Sequence, residues 1–452
     1  MQNTIKNLSK LIFPVVALQL IEFSSAFIDS IMIGQYDPIS FGGVSLAGVF
    51  YYTFFAFFLG VMMMIGPLIG QANGANNKRL IARNVRSGVW IGILFVIIFG
   101  IILYNIDAIC KAFNFSTELT YQVTEFIDGK KYSILIFIAV PFRYFLINQG
   151  IFKHILTLSI MTLPMNILFN WMFIYGKFGV PEMGIYGAGL ATSLSVIINS
   201  LLLITIATLK AKQQEINLWV RFWKIDFEIF KKILILGIPT GIAITLEMVI
   251  FSISNVYVGQ FDKYSISAFA LTIQIWNLLY GTILGIAEGT SIYTANQAGK
   301  KDRTEIIKAI KIGFGFLLIL NTVVALIIFN FSNNIFALML DSSADSYIQI
   351  VNLVNPIVYL FMIAFLVESI SQIPTKFLQS INDTKYIPII QLIGYGIIGP
   401  LLGYVLCFIY DYKLDGIYIS IIIGIFISAF TMNMRAYYSI HKDRIFKKVE
   451  TK

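Results

Sequence analysis

Five carboxylates stand in stretches of sequence that are otherwise apolar: Glu22, Asp29, Glu247, Glu288 and Glu368. An ionised side chain at bilayer depth costs at least ~2.5–3.5 kcal/mol on insertion scales, so acids kept there usually serve ions, protons or substrates. Glu22 and Asp29 are two helical turns apart and share one side of a helix. Asn166 and Asn170, at i and i+4, share a face of another, and Thr192 follows Gly187-Ala188-Gly189 at the start of a third. One carboxylate with amide and hydroxyl oxygens is ligand chemistry suited to a hard monovalent cation. The plainer reading of the amides and the hydroxyl is polar glue between helices. For Glu288, upstream of Lys300, a solvated or snorkelling carboxylate near a helix end is the plain alternative.

The same chemistry recurs in a second copy. Pro14, Glu22 and Ile33-Gly34-Gln35-Tyr36-Asp37 match Pro239, Glu247 and Val258-Gly259-Gln260-Phe261-Asp262 at one common offset of about 225 positions, and Gln71-Ala72 matches Gln297-Ala298 after a one-residue slip. Ser254 stands where the second copy would carry Asp29, so the halves are related but not chemically equivalent. Internal repeats around buried ionisable groups mark a secondary transporter.

The elements that must position these residues follow from composition. With 58% hydrophobic residues, 13% charged and a mean hydropathy of +0.80, a soluble fold could not hide the apolar surface. Twelve apolar stretches can be read, near 11–33, 45–70, 87–104, 132–152, 155–175, 187–209, 233–258, 266–293, 312–331, 347–372, 386–409 and 416–438, each long enough to cross a ~30 Å hydrocarbon core. The expected fold is an all-α integral membrane protein of twelve transmembrane helices in two pseudo-symmetric six-helix bundles. Residues 1–209 form an N-lobe, 210–230 a charged, tryptophan-bearing cytoplasmic linker, 231–440 a C-lobe and 441–452 a cytoplasmic tail.

Placing the N-terminus in the cytoplasm puts most of the 33 Lys and Arg residues inside, leaving Lys111, Lys130, Lys131, Lys177, Lys263 and Lys413 outside and Arg143 within a helix. Both termini are then cytoplasmic. The net charge of +9 serves orientation and anionic lipid, with no need of nucleic acid. The only histidines, His154 and His441, fall at a helix edge and in the tail, and no G-x-x-x-x-G-K-[ST] loop occurs, so neither a metal centre, a histidine relay nor an ATPase is indicated. The chain does not read as an enzyme, and no cofactor is called for.

The string FIDSIMIG around Asp29, GQANGANNK after the second helix, NILFNWMFIYG from Asn166 to Gly176, GAGLAT ending at Thr192 and LEMVIF at Glu247 together resemble the multidrug and toxic compound extrusion (MATE) family, in its NorM-type bacterial branch. The resemblance spans nearly the whole chain. It implies a monomeric antiporter of the bacterial inner membrane, a V-shaped pair of six-helix bundles that exports cationic lipophilic drugs in exchange for Na+ or H+. It also implies cation-binding roles for Asp29, Asn166, Asn170 and Thr192, and an acid role for Glu247. Glu368 falls where NorM-type members have aspartate, and Asn170 stands where other branches have Asp. The alternative within the same superfamily is a lipid-linked precursor flippase, which would want a cationic cavity.

Overall fold

The computed structural model describes residues 1–36, 40–112, 116–339, 345–441 and 445–446. Asp37, on which the first repeat motif ends, and most of the 441–452 tail lie outside the described residues. The helices run in chain order as α1 (Gln2–Tyr36), α2 (Ser40–Met63), α3 (Ile65–Gly74), α4 (Lys78–Tyr104), α5 (Ile106–Ala112), α6 (Thr117–Lys130), α7 (Ile136–Asn148), α8 (Phe152–Tyr175), α9 (Gly184–Gln213), α10 (Phe227–Val258), α11 (Lys263–Gly299), α12 (Arg303–Met339), α13 (Asp345–Ser380), α14 (Ile387–Gln391), α15 (Gly399–Tyr404) and α16 (Lys413–His441). A 3-10 turn at Lys131–Leu135 joins α6 to α7, and π-helical turns at Leu392–Ile398 and Val405–Ile409 flank α15. Among the described residues, twelve segments are long and apolar enough to cross a membrane, matching the number read from hydropathy.

Local sequence explains where these helices start and stop. Asn77 caps α4 by accepting the Leu80 N–H at 2.9 Å, and Asp262 caps α11 by accepting from the Tyr264 and Ser265 N–H groups. The Ser265 hydroxyl donates to the same carboxylate at 2.6 Å and holds the Asp262 carboxyl below its usual range. Helix α8 ends at Gly176, whose φ of +64° is the left-handed conformation glycine adopts without steric cost. The fourth segment begins at Thr117 and not near 132, as hydropathy places it. Glu118, Gln122, Glu125 and Asp128 dilute its hydropathy, while packing decides the helix: a Cβ on Gly129 or Gly189 would overlap the facing backbone of α9 or α6.

The helices gather into two compact units, one of Met1–Val16 with Ile242–Val449, the other built on Ala17–Gly241. The hydropathy break at 210–230 is not where the units divide. The cuts fall inside α1 and α10, just after their prolines Pro14 and Pro239. Leu8 and Ile12 belong to the same buried cluster as Ala287 and Phe365, and Ile12 and Val16 lie against Gly289 and Gly285. In the other unit Gly237 and Gly241 of α10 lie against Val61 and Phe57 of α2. The opening segment of each half's first helix is therefore built into the unit formed by the rest of the other half. A proline inside a helix removes one i→i−4 hydrogen bond, so both changes of partner occur where the helix is weakest.

The linker is docked onto the unit that carries α4. Arg83 pairs with Asp226 and, at 2.6 Å, with Glu228; the Trp90 indole N–H donates to the Phe222 carbonyl at 2.9 Å and the two rings stack. Arg83 holds the Asp226 carboxyl below its usual range. A depressed carboxyl contributes above its unfolded pKa and loses that contribution only as pH falls through the folded value. The linker should stay docked from pH 8 to 5, checked by hydrogen exchange at 218–226, and Arg83→Gln should raise exchange there at both pH values. In the same bundles, Gly285→Val places a Cβ about 2.5 Å from the Val16 Cα and should cost roughly 1–3 kcal/mol of stability. Gly315→Ala, which meets nothing within 4 Å, should leave the melting temperature of the purified protein unchanged.

Candidate functional site

In the unit built on Ala17–Gly241, Asp29 is 8% exposed. The Asn170 amide donates to its Oδ1 at 2.7 Å and the Thr192 hydroxyl to its Oδ2 at 3.0 Å. Asn170 also donates to Asn166 Oδ1 at 3.3 Å, so the i,i+4 pair on α8 acts as one block. The Tyr175 hydroxyl donates to the Met32 carbonyl and pins the end of α1 against α8. Because the Asn170 amide nitrogen must face the acid, its Oδ1 is turned away, and it is buried without a hydrogen-bond partner among the described residues. A buried acceptor with no donor, beside a carboxylate held only by neutral groups, is suited to a bare monovalent cation.

The unit that holds Ile242–Val449 carries a larger constellation. Glu247 of α10 accepts from the Tyr280 hydroxyl at 3.1 Å and from the Gln391 amide. Glu368 of α13, 2% exposed, accepts from the Tyr395 hydroxyl at 2.7 Å and from the Gln372 amide. Gln372 also donates to the Tyr280 hydroxyl at 3.3 Å, so one chain of hydrogen bonds runs from Gln391 through Glu247, Tyr280, Gln372 and Glu368 to Tyr395. Gln391 Oε1 repeats the feature seen at Asn170: a buried amide oxygen beside an acid with no partner among the described residues. Tyr395 sits in the π-helical turn 392–398, whose extra residue per turn re-aims side chains and often marks functional positions. Lys376, one further turn along the Glu368 and Gln372 face, acts electrostatically on Glu288 and Glu247.

All the acids read from sequence are therefore located, and only Glu22 departs from the grouping the sequence suggested. Asp29 joins Asn166, Asn170 and Thr192. Glu22 does not share that site, since its carboxylate pairs with Arg143 and is 44% exposed. Glu288 is buried and not snorkelling. Tyr280, Gln372, Gln391 and Tyr395 were missed, although the i,i+4 spacings Glu368–Gln372 and Gln391–Tyr395 were available as signals. Two buried lysines were also missed: Lys376, and Lys130, which orientation counting assigned to the outer side but which is 4% exposed inside the span Thr117–Asn148.

Twelve apolar spans in two units, with acids held inside each, define a multi-pass membrane transporter and not an enzyme. The MatE family model matches residues 14–172 and 239–405, one block in each half of the repeat, and the chain belongs to that family. It is 27% identical over 426 residues to a probable multidrug resistance protein NorM of Listeria monocytogenes serotype 4b, covering 93% of this chain and 92% of the relative. A protein of the same description from Rhizobium meliloti is 24% identical over 429 residues, covering 93% and 91%. The fold is similar to that of the eukaryotic MATE transporter AtDTX14, with a TM-score of 0.87 at 18% identity over 99% of both chains.

Tyr280 joins the Glu247 and Glu368 halves of the hydrogen-bonded chain described above. Tyr280→Phe keeps the ring and removes both bonds, at a cost of roughly 1–3 kcal/mol from the groups left unpaired. The variant should melt measurably lower and transport several-fold more slowly; melting and transport equal to the parent would mean that the chain of bonds is incidental.

Proposed function

We propose that this chain is a multidrug efflux antiporter of the bacterial plasma membrane, exporting lipophilic organic cations in exchange for Na+ or H+ by alternating access. The observation that carries this reading is the Asp29 site: a buried carboxylate whose two oxygens are each held by a neutral donor, with an unpartnered amide oxygen beside it. Its negative charge is oriented but not cancelled by these donors. A cation arriving from outside cancels it, and the two states bind the drug with different strength. For Na+, Asn166, Asn170 and Thr192 complete an oxygen shell around the ion; for H+, protonation of Asp29 alone is the switch. Glu247 and Glu368 supply negative charge for the cationic drug or for a second coupling ion, and the drug part of the reading is supported by the names of the relatives. Both termini lie in the cytoplasm, and the moving bodies are the two compact units, one built on Ala17–Gly241 and the other on Met1–Val16 with Ile242–Val449.

The energetics are sufficient. Each monovalent cation moving inward releases ~2.3 kcal/mol per 100 mV and each cationic drug moving outward costs the same, so a one-for-one exchange runs on the ion's concentration gradient and a second ion adds roughly a few tens-fold to the drug gradient. A flippase for lipid-linked precursors would need uncompensated positive charge for a pyrophosphate. Lys376 is influenced by the charges of Glu288 and Glu247, Arg143 pairs with Glu22, and the buried Lys130 ammonium is enclosed by the rings of Tyr51, Tyr52 and Phe126, which speaks against that use.

Asp29→Asn removes the titrating charge and keeps the volume. Cells expressing the variant at parental levels should lose ethidium efflux and drug resistance, while full resistance would refute the role of Asp29.

A further inference from the structure

Lys130 is a buried cation that the antiport reading does not use. It ends α6, where the chain tightens into the 3-10 turn Lys131–Leu135. Its ammonium lies 4.7 Å from the centroid of the Tyr52 ring, 5.0 Å from Phe126 and 5.1 Å from Tyr51, all within cation–π range. Of its three N–H donors, one bonds to the Tyr52 hydroxyl at 3.2 Å. An aromatic cage thus holds this lysine, with no carboxylate within ion-pair distance among the described residues.

The cage and the Asp29 site share a frame. Adjacent residues of α9 serve them both: Thr192 donates to Asp29 at 3.0 Å and Ser193 to the Gly129 carbonyl at 2.7 Å. Gly129 and Gly189 let the two backbones touch. Ser133 donates to the Lys130 carbonyl at 2.6 Å and bonds the Tyr51 hydroxyl at 2.7 Å, which fixes the base of the cage. On this shared frame the Lys130 ammonium acts electrostatically on the Asp29 carboxylate.

We propose that Lys130 is a resident counter-cation that sets how tightly the Asp29 site holds the coupling ion. This inference rests on the antiport reading. A site with only Asp29 carries one negative charge and would hold a cation firmly. With Lys130 caged on the same frame, the arriving cation meets a like charge, binds more weakly and is released within the cycle. The aromatic cage keeps that charge buried while preventing it from closing onto Asp29 as a permanent ion pair. Lys130 is in this sense a positioning charge for the ion site, acting on the ion without touching it.

The test uses the full-length protein in liposomes, with Na+ and pH gradients imposed separately and ethidium as the exported probe. Lys130→Gln should lower the half-saturating concentration of the coupling ion at least about tenfold and slow maximal export, because release becomes limiting. Lys130→Arg, which keeps the charge, should stay within about threefold of the parent. If Gln is not tolerated, Lys130→Met, which keeps the apolar stem, carries the same expectation. An unchanged half-saturation in a folded Gln or Met variant, or an equal shift in the Arg variant, overturns the proposal and leaves the antiport reading intact. Parental export that ignores both gradients would overturn the antiport reading and this proposal with it.

Discussion

An ionised carboxylate inside an apolar bundle must be given donors or a cation, and the rest of this structure is arranged around which of the two it receives. Asp29, Glu247 and Glu368 are each met by one amide N–H and one hydroxyl: Asn170 and Thr192, Gln391 and Tyr280, Gln372 and Tyr395. Neutral donors orient a carboxylate without cancelling its charge. Glu22 shows the other solution, an ion pair with Arg143, which leaves no net charge to exchange. The contrast separates acids hydrogen-bonded by neutral donors from one paired with a cation.

Much of this arrangement was legible in the sequence, for physical reasons that also mark where it stopped. Twelve spans followed from hydropathy because lipid leaves a chain little alternative to long apolar helices. Asp29, Asn166, Asn170 and Thr192 stood out because polar groups are rare in such helices. Tyr280 and Tyr395 did not, since a tyrosine ring passes as apolar until its hydroxyl is seen to have a partner. Glu22 was grouped with Asp29 because seven residues return to the same helix face, yet they also advance about 10 Å along the axis, enough to change every neighbour. Lys130 was placed outside because charge counting reads loops, whereas the contacts of Gly129 and Gly189 draw that end of α6 into the bundle.

Helices α1 and α10 each contribute an opening segment to one unit and the remainder to the other, and each changes partner beside a proline. Asp29 and Glu247 lie downstream on these same two helices. The glycine contacts at 237, 241, 285 and 289 bring backbone close to its neighbour and favour two discrete packings over a continuous slide.

The central claim is that acids held by neutral donors take up and give up a cation in every turnover, opposite to the drug. The most direct measurement is paired flux in liposomes reconstituted with the purified chain, following ethidium in one direction and 22Na+ or a pH dye in the other. The account predicts uphill drug movement only while an ion gradient is present, with ion entering in fixed proportion to drug leaving. Equal drug movement after ionophores have collapsed both gradients, or drug movement with no accompanying ion, would contradict it.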